Sequence, residues 1–377
     1  MTVAAANLDA WKQTLAGGRA RIRARFEDKP SATELFRAHG ALVDGLLKEV
    51  WEAHVQQTKA ALIAVGGYGR GQLFPHSDID LLILLDALPS EAEQEKLQAL
   101  VGAWWDIGLE TGHSIRTVNE CVDMARQDIT AQTNMLEPRL LAGDRKLFKR
   151  FVDATLEVLD PLAFLQAKTL EQRQRHARHE ETNLEPNVKE RIGGLRDLNH
   201  ILWIARGAGY GKSWRGLARN GLITEAESRD IQRHERLLHT LRIRLHYLAG
   251  RREDRLIFDV QSALAKQFGL VNKEHRLASE QLMQRYYRTT KAVSQLDNIV
   301  RQNVRSRLTG ARNIKLQPLN ERFGIRNEVL AIRRDDTYEK HPEAILETFR
   351  LLQQHAEIKD IGRSEEHTSE LQSRFGI

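Results

Sequence analysis

Residues Val65–Leu85 read VGGYGRGQLFPHSDIDLLILL, a stretch that sets a glycine-rich turn and an Asp-x-Asp pair between two apolar runs. It starts at the end of one short apolar run, Ala60–Val65 (AALIAV), and finishes in another, Ile79–Leu85 (IDLLILL). Runs of that length flanked by glycines predict two buried strands. Asp78 and Asp80 stand two apart at the entry to the second run. In a strand, positions i and i+2 share a face, so the two carboxylates point one way while Ile79 and Leu81 enter the core. Adjacent acids repel unless a cation lies between them. Mg²⁺ takes oxygen ligands and is commonly held by one or two carboxylates plus substrate phosphates. Metal pairs about 3.5–4 Å apart suit in-line phosphoryl or nucleotidyl transfer.

Gly66 and Gly67 follow the first run directly, with Gly69 and Gly71 close behind. Glycines at a strand end let backbone N–H groups come close to a phosphate, and Arg70 adds a charged donor. Ten residues separate Gly67 from Asp78, enough for a turn of helix and a return around one triphosphate. An Asp-x-Asp alone is common at solvated strand ends, and a lone Gly-Gly is commoner still. The ordered set of strand, Gly-Gly, spacer, Asp-x-Asp and strand is specific, and it marks a nucleotidyltransferase site.

Around this motif, Glu91–Leu109 is amphipathic and predicts a helix. His113–Val118 (HSIRTV) alternates like a strand, and Cys121–Asp128 predicts a helix. Residues 60–120 therefore form a mixed α/β unit in an otherwise helical chain. Ser31-Ala-Thr-Glu34 is a capping box opening a helix to about His54. Arg19, Arg21, Arg23 and Arg25 before it are read as a solvated face. No proline occurs between Asn187 and Gln317. Helices are expected over Phe164–Glu181, Leu198–Ala208, Thr224–Ala249, Asp259–Phe268 and Glu274–Arg307. Asn187, Lys189, Arg196 and Asp197 gather around Gly193-Gly194, where capping and ligand contact are both open readings. Tyr286 and Tyr287 are expected in the core.

The 377 residues predict two or three domains. A net charge of +6 with both signs interspersed, and no basic patch interleaved with aromatics, argues against a nucleic-acid binder. The single cysteine, Cys121, excludes an intrachain disulfide framework and fits a reducing cytosol. No apolar run approaches the ~20 residues that span a bilayer, and Met1–Gly18 lacks the pattern of a signal peptide. Gly211-Lys212-Ser213 is not a P-loop, because the glycine required five positions earlier is Arg206. His234-Glu235 followed by His239 misses the zinc-protease spacing by one residue.

The segment GGYGRGQLFPHSDIDLLIL resembles the DNA polymerase beta-like nucleotidyltransferases. More closely, it is similar to the bacterial PII uridylyltransferase/uridylyl-removing enzyme family. The resemblance extends through WWDIGLETGHSIRT (104–117), NMLEPRLLAGD (134–144), NLEPNVKERIGGLRDL (183–198), ILWIAR (201–206), REDRLIFDVQ (252–261) and QRYY (284–287), covering about residues 20–362. It implies an α+β fold, with a polymerase beta-like domain on a short mixed sheet followed by an all-α domain. The implied division is a helical segment 1–57, the nucleotidyltransferase domain 58–160, a helical substrate and nucleotide domain 161–310, and a lead-in 311–362 to a further HD-type domain. Arg363–Ser373 (RSEEHTSELQS) resembles a translated sequencing adapter, so 363–377 is expected to be an artefactual tail.

The resemblance also implies transfer of UMP from UTP to a tyrosine of the PII signalling protein, in the cytoplasm, with glutamine as effector. Asp78 and Asp80 would be catalytic and would ligate Mg²⁺ or Mn²⁺. Gly66, Gly67, Arg70, Ser77, Lys189 and Arg196 would bind the nucleotide. A third carboxylate is not found in HSIRTV, which leaves Glu110 and Asp106 as candidates, with Glu110 preferred. The family's hydrolytic removal of UMP needs an HD-type metal domain, and no adjacent His-Asp pair occurs here. The alternatives are a glutamine synthetase adenylyltransferase-like enzyme and a non-catalytic PII- or nucleotide-binding module.

Overall fold

The computed structural model describes residues 3–55, 59–178, 184–310, 316–326, 329–334, 336–355, 357–358 and 360–361. They fall into two compact units, Met1–Asp297 and Asn298–Ile377. The expectations for residues 363–377 lie outside the described residues.

Two helices, α1 (Val3–Asp28) and α2 (Ala32–His54), come first in the first unit. Ser31 accepts the Glu34 N–H at 3.3 Å and starts α2. The sheet is built from β1 (Ala60–Ala64), β2 (Ile79–Leu85), β3 (Thr111–Thr117) and β4 (Arg139–Gly143), in the order β3-β2-β1-β4. β1 runs antiparallel to both β2 and β4, while β2 and β3 are parallel. The turn helix α3 (Gly66–Gly69) follows β1, and α4 (Glu91–Ile107) links β2 to β3. α5 (Val118–Gln127), α6 (Ile129–Met135) and α7 (Arg145–Glu157) complete this part.

β1 is apolar throughout, and β2 is apolar apart from Asp80 near its start, because both sheet faces are covered. Leu62, Leu81, Ile83 and Leu85 pack against Val43, Leu46 and Val50 of α2 and Leu100 and Trp104 of α4. Ala61, Ile63, Leu82 and Leu84 pack on the opposite face against Val118, Cys121, Leu147 and Phe151. Each fully buried large apolar side chain contributes about 1.5–3 kcal/mol. Burial also pushes the Cys121 thiol up to about 12, so it stays protonated as a core residue.

The proline-poor stretch is helical: α8 (Pro161–Arg178), α9 (Leu195–Gly207), α10 (Trp214–Arg219), α11 (Glu225–Ala249), α12 (Phe258–Gln267) and α13 (Ala278–Leu308). α9 starts three residues before the expected position, directly after Gly194. Tyr286 is fully buried, as expected, but Tyr287 is only half-buried beneath the Arg191 guanidinium, 5.0 Å from its ring.

The second unit contains β5 (Gln317–Pro318), β6 (Phe323–Arg326), β7 (Val329–Ile332), α14 (Thr337–Lys340), α15 (Ala344–Gln354) and β8 (Asp360–Ile361). Its small core gathers Phe323, Leu330, Ala344, Leu351 and Ile358.

Candidate active site

The site grows from the end of β1. The Val65 N–H donates to the Asp80 carbonyl at 3.0 Å, which ties the two strand ends together. Gly66 then adopts φ +57°, and a Cβ there would lie 3.1 Å from Asp80 Oδ2. A Cβ at Gly69 would meet the Glu137 carbonyl oxygen at 2.1 Å. Only glycine lets this turn come so close to its neighbours. Three side chains brace it. The Tyr68 hydroxyl donates to the Asp44 carboxylate of α2. Arg139 of β4 donates to the same carboxylate at 2.5 and 3.0 Å, and its guanidinium sits 5.1 Å from the Tyr68 ring. Burial, and then the Asp44 charge, raise the Tyr68 pKa well above the ordinary phenol value, so its hydroxyl stays neutral.

Asp78 lies one residue before β2 rather than within it. Arg252 donates to its Oδ2 at 2.7 Å. Asp80 lies between two glycines on the neighbouring strand ends. Its Oδ2 faces Gly66, while a Cβ at Gly112 of β3 would lie 3.2 Å from its Oδ1. Partial burial and then the Asp78 charge raise the Asp80 pKa, while Lys189, Arg252 and Arg70 oppose that shift.

A cleft of about 310 Å³ opens on the Gly66 side. It brings together Gly66, Gly67, Arg70, Ser77, Asp78, Asp80, Lys189 and Arg196, all singled out from the sequence. Glu110 is not in it. It lines a separate open groove on the Gly112 side, which shares Asp78 and Asp80 with the cleft. Asp106 lines neither. The cleft also contains residues the sequence reading missed: Thr130, Asn134, His239, Arg242 and Arg252 among them. Asn134 and Arg252 stand in quoted family segments. His239, Arg242 and His246 recur at helical spacing among the buried residues of α11, the one signal that could have drawn attention to that face.

The cations are held in place by their own partners. Arg70 donates to Glu137 at 2.6 Å, and Trp203 donates its indole N–H to the same carboxylate at 2.8 Å. The guanidinium groups of Arg70 and Arg196 sit 5.6 and 5.7 Å from the Trp203 ring. Burial, then Arg196 and Arg242, lower the Lys189 pKa. Arg242 donates to Asp254 at 2.6 Å. His246 hydrogen-bonds both Asp254 (3.2 Å) and the Pro75 carbonyl, three residues before Asp78. The Val188 N–H donates to the Asp254 carbonyl at 2.8 Å, stitching the loop before α9 to the loop after α11.

The polar set around Gly193-Gly194 divides in two. Asn187 caps its own turn by accepting the Lys189 and Glu190 N–H groups. Asp197 points inward and accepts from Gln172, Arg175 and the Gly193 N–H. Burial opposes ionisation of Asp197, but the His176 hydrogen bond and the Arg175 charge outweigh it and hold the pKa below the carboxylate range. Lys189 and Arg196 face the cleft. His234 and Glu235 are engaged by Thr289 and Trp214 respectively.

Among the described residues, no group of three or more His, Cys, Asp or Glu side chains gathers as a ligand set. A divalent cation here would take two carboxylates, Asp78 and Asp80. The remaining oxygens would come from phosphate and water, the usual arrangement for Mg²⁺ with a nucleotide. The repulsion between the two acids fits such a cation.

A short mixed sheet that presents a glycine turn and a carboxylate pair to a cation-walled cleft defines a nucleotidyltransferase domain, and the nucleotidyltransferase domain family model matches residues 45–123. The GlnD PII-uridylyltransferase model matches residues 163–300, and the uridylyltransferase GlnD third domain model matches 323–367. The chain is 49% identical over 92% of its length to the bifunctional uridylyltransferase/uridylyl-removing enzyme of Aromatoleum aromaticum. It is 46% identical over 94% to that of Nitrosospira multiformis and 47% identical over 95% to that of Chromobacterium violaceum. The chain belongs to the bifunctional uridylyltransferase/uridylyl-removing enzyme family. It spans 40–42% of the length of these relatives. A crystal structure of a toxin–antitoxin with AMP-PNP aligns with 37% of this chain and 96% of its own at 16% identity and a TM-score of 0.22, too weak a likeness to bear on the fold. No helix among the described residues is long and apolar enough to cross a membrane.

Proposed function

We propose that this chain transfers UMP from UTP to a tyrosine hydroxyl of the PII signalling protein, releasing pyrophosphate, in the cytoplasm. The observation that carries this reading is the joining of Asp78 and Asp80 to Arg70, Lys189, Arg196, Arg242 and Arg252 in one cleft beside the glycine turn, in a chain of this family. The cations match a triphosphate in charge. The first amides of a helix such as α3 have no partner within it and are suited to phosphate oxygens. Mg²⁺ or Mn²⁺ on Asp78 and Asp80 would supply charge neutralisation at the α-phosphate and favour the phenolate of the acceptor. An unperturbed phenol has a pKa near 10 and is mostly neutral at pH 7. The residues of the chain position the nucleotide and stabilise developing charge, which dominates catalysis of phosphoryl transfer generally. Glu110, which lines the groove on the Gly112 side together with both aspartates, is the proposed third carboxylate.

The test is the intact mass of PII after incubation with the chain, Mg²⁺ and either UTP or ATP, with Asp78→Asn and Asp80→Asn in parallel. One UMP per PII subunit, seen only with UTP and lost in both variants, is expected. An added AMP would point instead to an adenylylating relative. Unmodified PII from a folded chain that binds UTP would leave only a binding module.

A further inference from the structure

The two oxygens of Asp80 face opposite ways, toward Gly66 of the turn and toward Gly112 of β3. The space on each side differs in chemistry. The Gly66 side is walled by five Arg and Lys side chains. The Gly112 side is an open groove bounded by Asp78, Asp80, Trp105, Glu110, Thr111 and Gly112, with no cation in its lining. With three carboxylates in its lining, and Arg252 reaching Asp78 from the cleft side, that groove is a poorer place for a triphosphate, and it is the second approach to the same acid pair.

Trp105 stands out in this groove. Its neighbour Trp104 is fully buried, while Trp105 is 58% exposed beside the aspartates. Although exposed, its ring is fixed. Its N–H donates to the Thr111 hydroxyl at 3.1 Å, and it meets the His113 ring edge-on at 5.9 Å. A large, exposed, pre-ordered indole is the residue type that most often anchors a partner.

We infer that the Gly112 side is where the acceptor enters, with Trp105 as the platform for the acceptor's tyrosine. This rests on the proposed UMP transfer and adds to it the acceptor's position. In an in-line displacement the nucleophile and leaving group lie on opposite sides of the reacting phosphorus. With the triphosphate on the cationic side, pyrophosphate departs there and the phenol arrives over β3. The phenolic oxygen bonds to the α-phosphorus. The bond from that phosphorus to the bridging oxygen breaks, pyrophosphate leaves with the electron pair, and the phenolic proton passes to water in the open groove. Gly112 keeps this path clear, since any side chain there would crowd Asp80 Oδ1. The acidic rim selects a tyrosine flanked by neutral or basic residues.

The experiment compares wild type, Trp105→Ala and Trp105→Phe. It titrates PII at saturating Mg²⁺–UTP and measures UTP binding separately by calorimetry. Truncation of an anchoring aromatic predicts a rise of about 10- to 30-fold in the KM for PII in Trp105→Ala. UTP affinity should stay within about twofold, and Trp105→Phe should recover most of the loss. An unchanged KM for PII, or a UTP affinity that falls equally, overturns the inference while the active wild type keeps the transfer reading. A wild type that binds UTP but never modifies PII overturns both.

Discussion

Alanine at position 66 imposes two separate costs, and positions 71 and 112 carry one each. Gly66 has φ +57° and would put its Cβ 3.1 Å from Asp80 Oδ2. Gly71 has φ +74° but opens onto empty space. Gly112 lies outside the positive-φ region, with its Cβ 3.2 Å from Asp80 Oδ1. Holding alanine in the left-handed region costs about 1–2 kcal/mol, which lowers the melting temperature by a few degrees in a unit this large. The contact forces the Asp80 carboxylate to move by a few tenths of an ångström. A 1 Å misplacement at a reacting centre costs about 10²-fold, so 0.3–0.5 Å corresponds to roughly 4–10-fold.

Gly66→Ala should therefore lose both stability and turnover. Gly71→Ala should lose stability alone, and Gly112→Ala turnover alone. A loss of 1–2 kcal/mol from a margin of about 5–15 kcal/mol leaves nearly all molecules folded, so unfolding does not mimic the turnover effect. Circular-dichroism melts and UMP transfer to PII at saturating UTP read the two quantities. Equal inactivation of Gly71→Ala and Gly66→Ala, or full turnover in Gly112→Ala, would show that contact with Asp80 is not what matters.

Asp197→Ala removes a carboxylate that is 1% exposed and leaves Arg175 buried without it; the expected loss is about 3–5 kcal/mol, and a denaturant titration giving under about 1 kcal/mol would refute it. Glu137→Gln unpairs Arg70, whose side chain is 13% exposed. It should cost about 3 kcal/mol and raise the KM for UTP, whereas an unchanged melting curve would show that the pair contributes nothing. Burial lowers the His239 pKa to about 3. Burial, partly offset by the Leu73 carbonyl, lowers His39 to about 4. Both stay neutral when folded but protonate near pH 6.5 when unfolded, so stability falls as pH drops from about 6.5 toward 4, by up to ~1.4 kcal/mol per pH unit for each. His239→Phe should flatten that slope, and parallel melting-temperature profiles between pH 7 and 5 would contradict the burial argument.

The carboxylates and the glycine turn were legible because they are contiguous. Two apolar runs flank them, and each residue's chemistry bears on the next. Lys189 and Arg196 were reachable only through a family resemblance. From local chemistry alone, a Gly-Gly loop with Asn187 and Asp197 reads equally as capping, and those two residues do serve structure. Arg242 and Arg252 line the same cleft as the aspartates from more than 160 residues away in sequence, and no periodicity links such positions. A polar residue on a helix ordinarily reads as solvated, which hid His239 and Arg242 on the inner face of α11. The small sheet of the second unit has strands of two to four residues, too short for alternation to stand out.

The cleft's two charges differ in how they are encoded. Its acids sit two positions apart at one strand entry, but its cations come from the β1–β2 connection, the loop before α9, the first turn of α9, α11 and the loop after α11. During synthesis the acid pair emerges about 170 residues before Arg252, which pairs with Asp78. A nascent or excised piece covering residues 58–160 would carry Arg70 as the cleft's single cation. It should hold a divalent ion but grip a triphosphate poorly. On the proposed function, nucleotide capture is a property of the assembled chain, and grafting the sheet alone onto another protein should move the carboxylate pair without the cations that would hold its substrate.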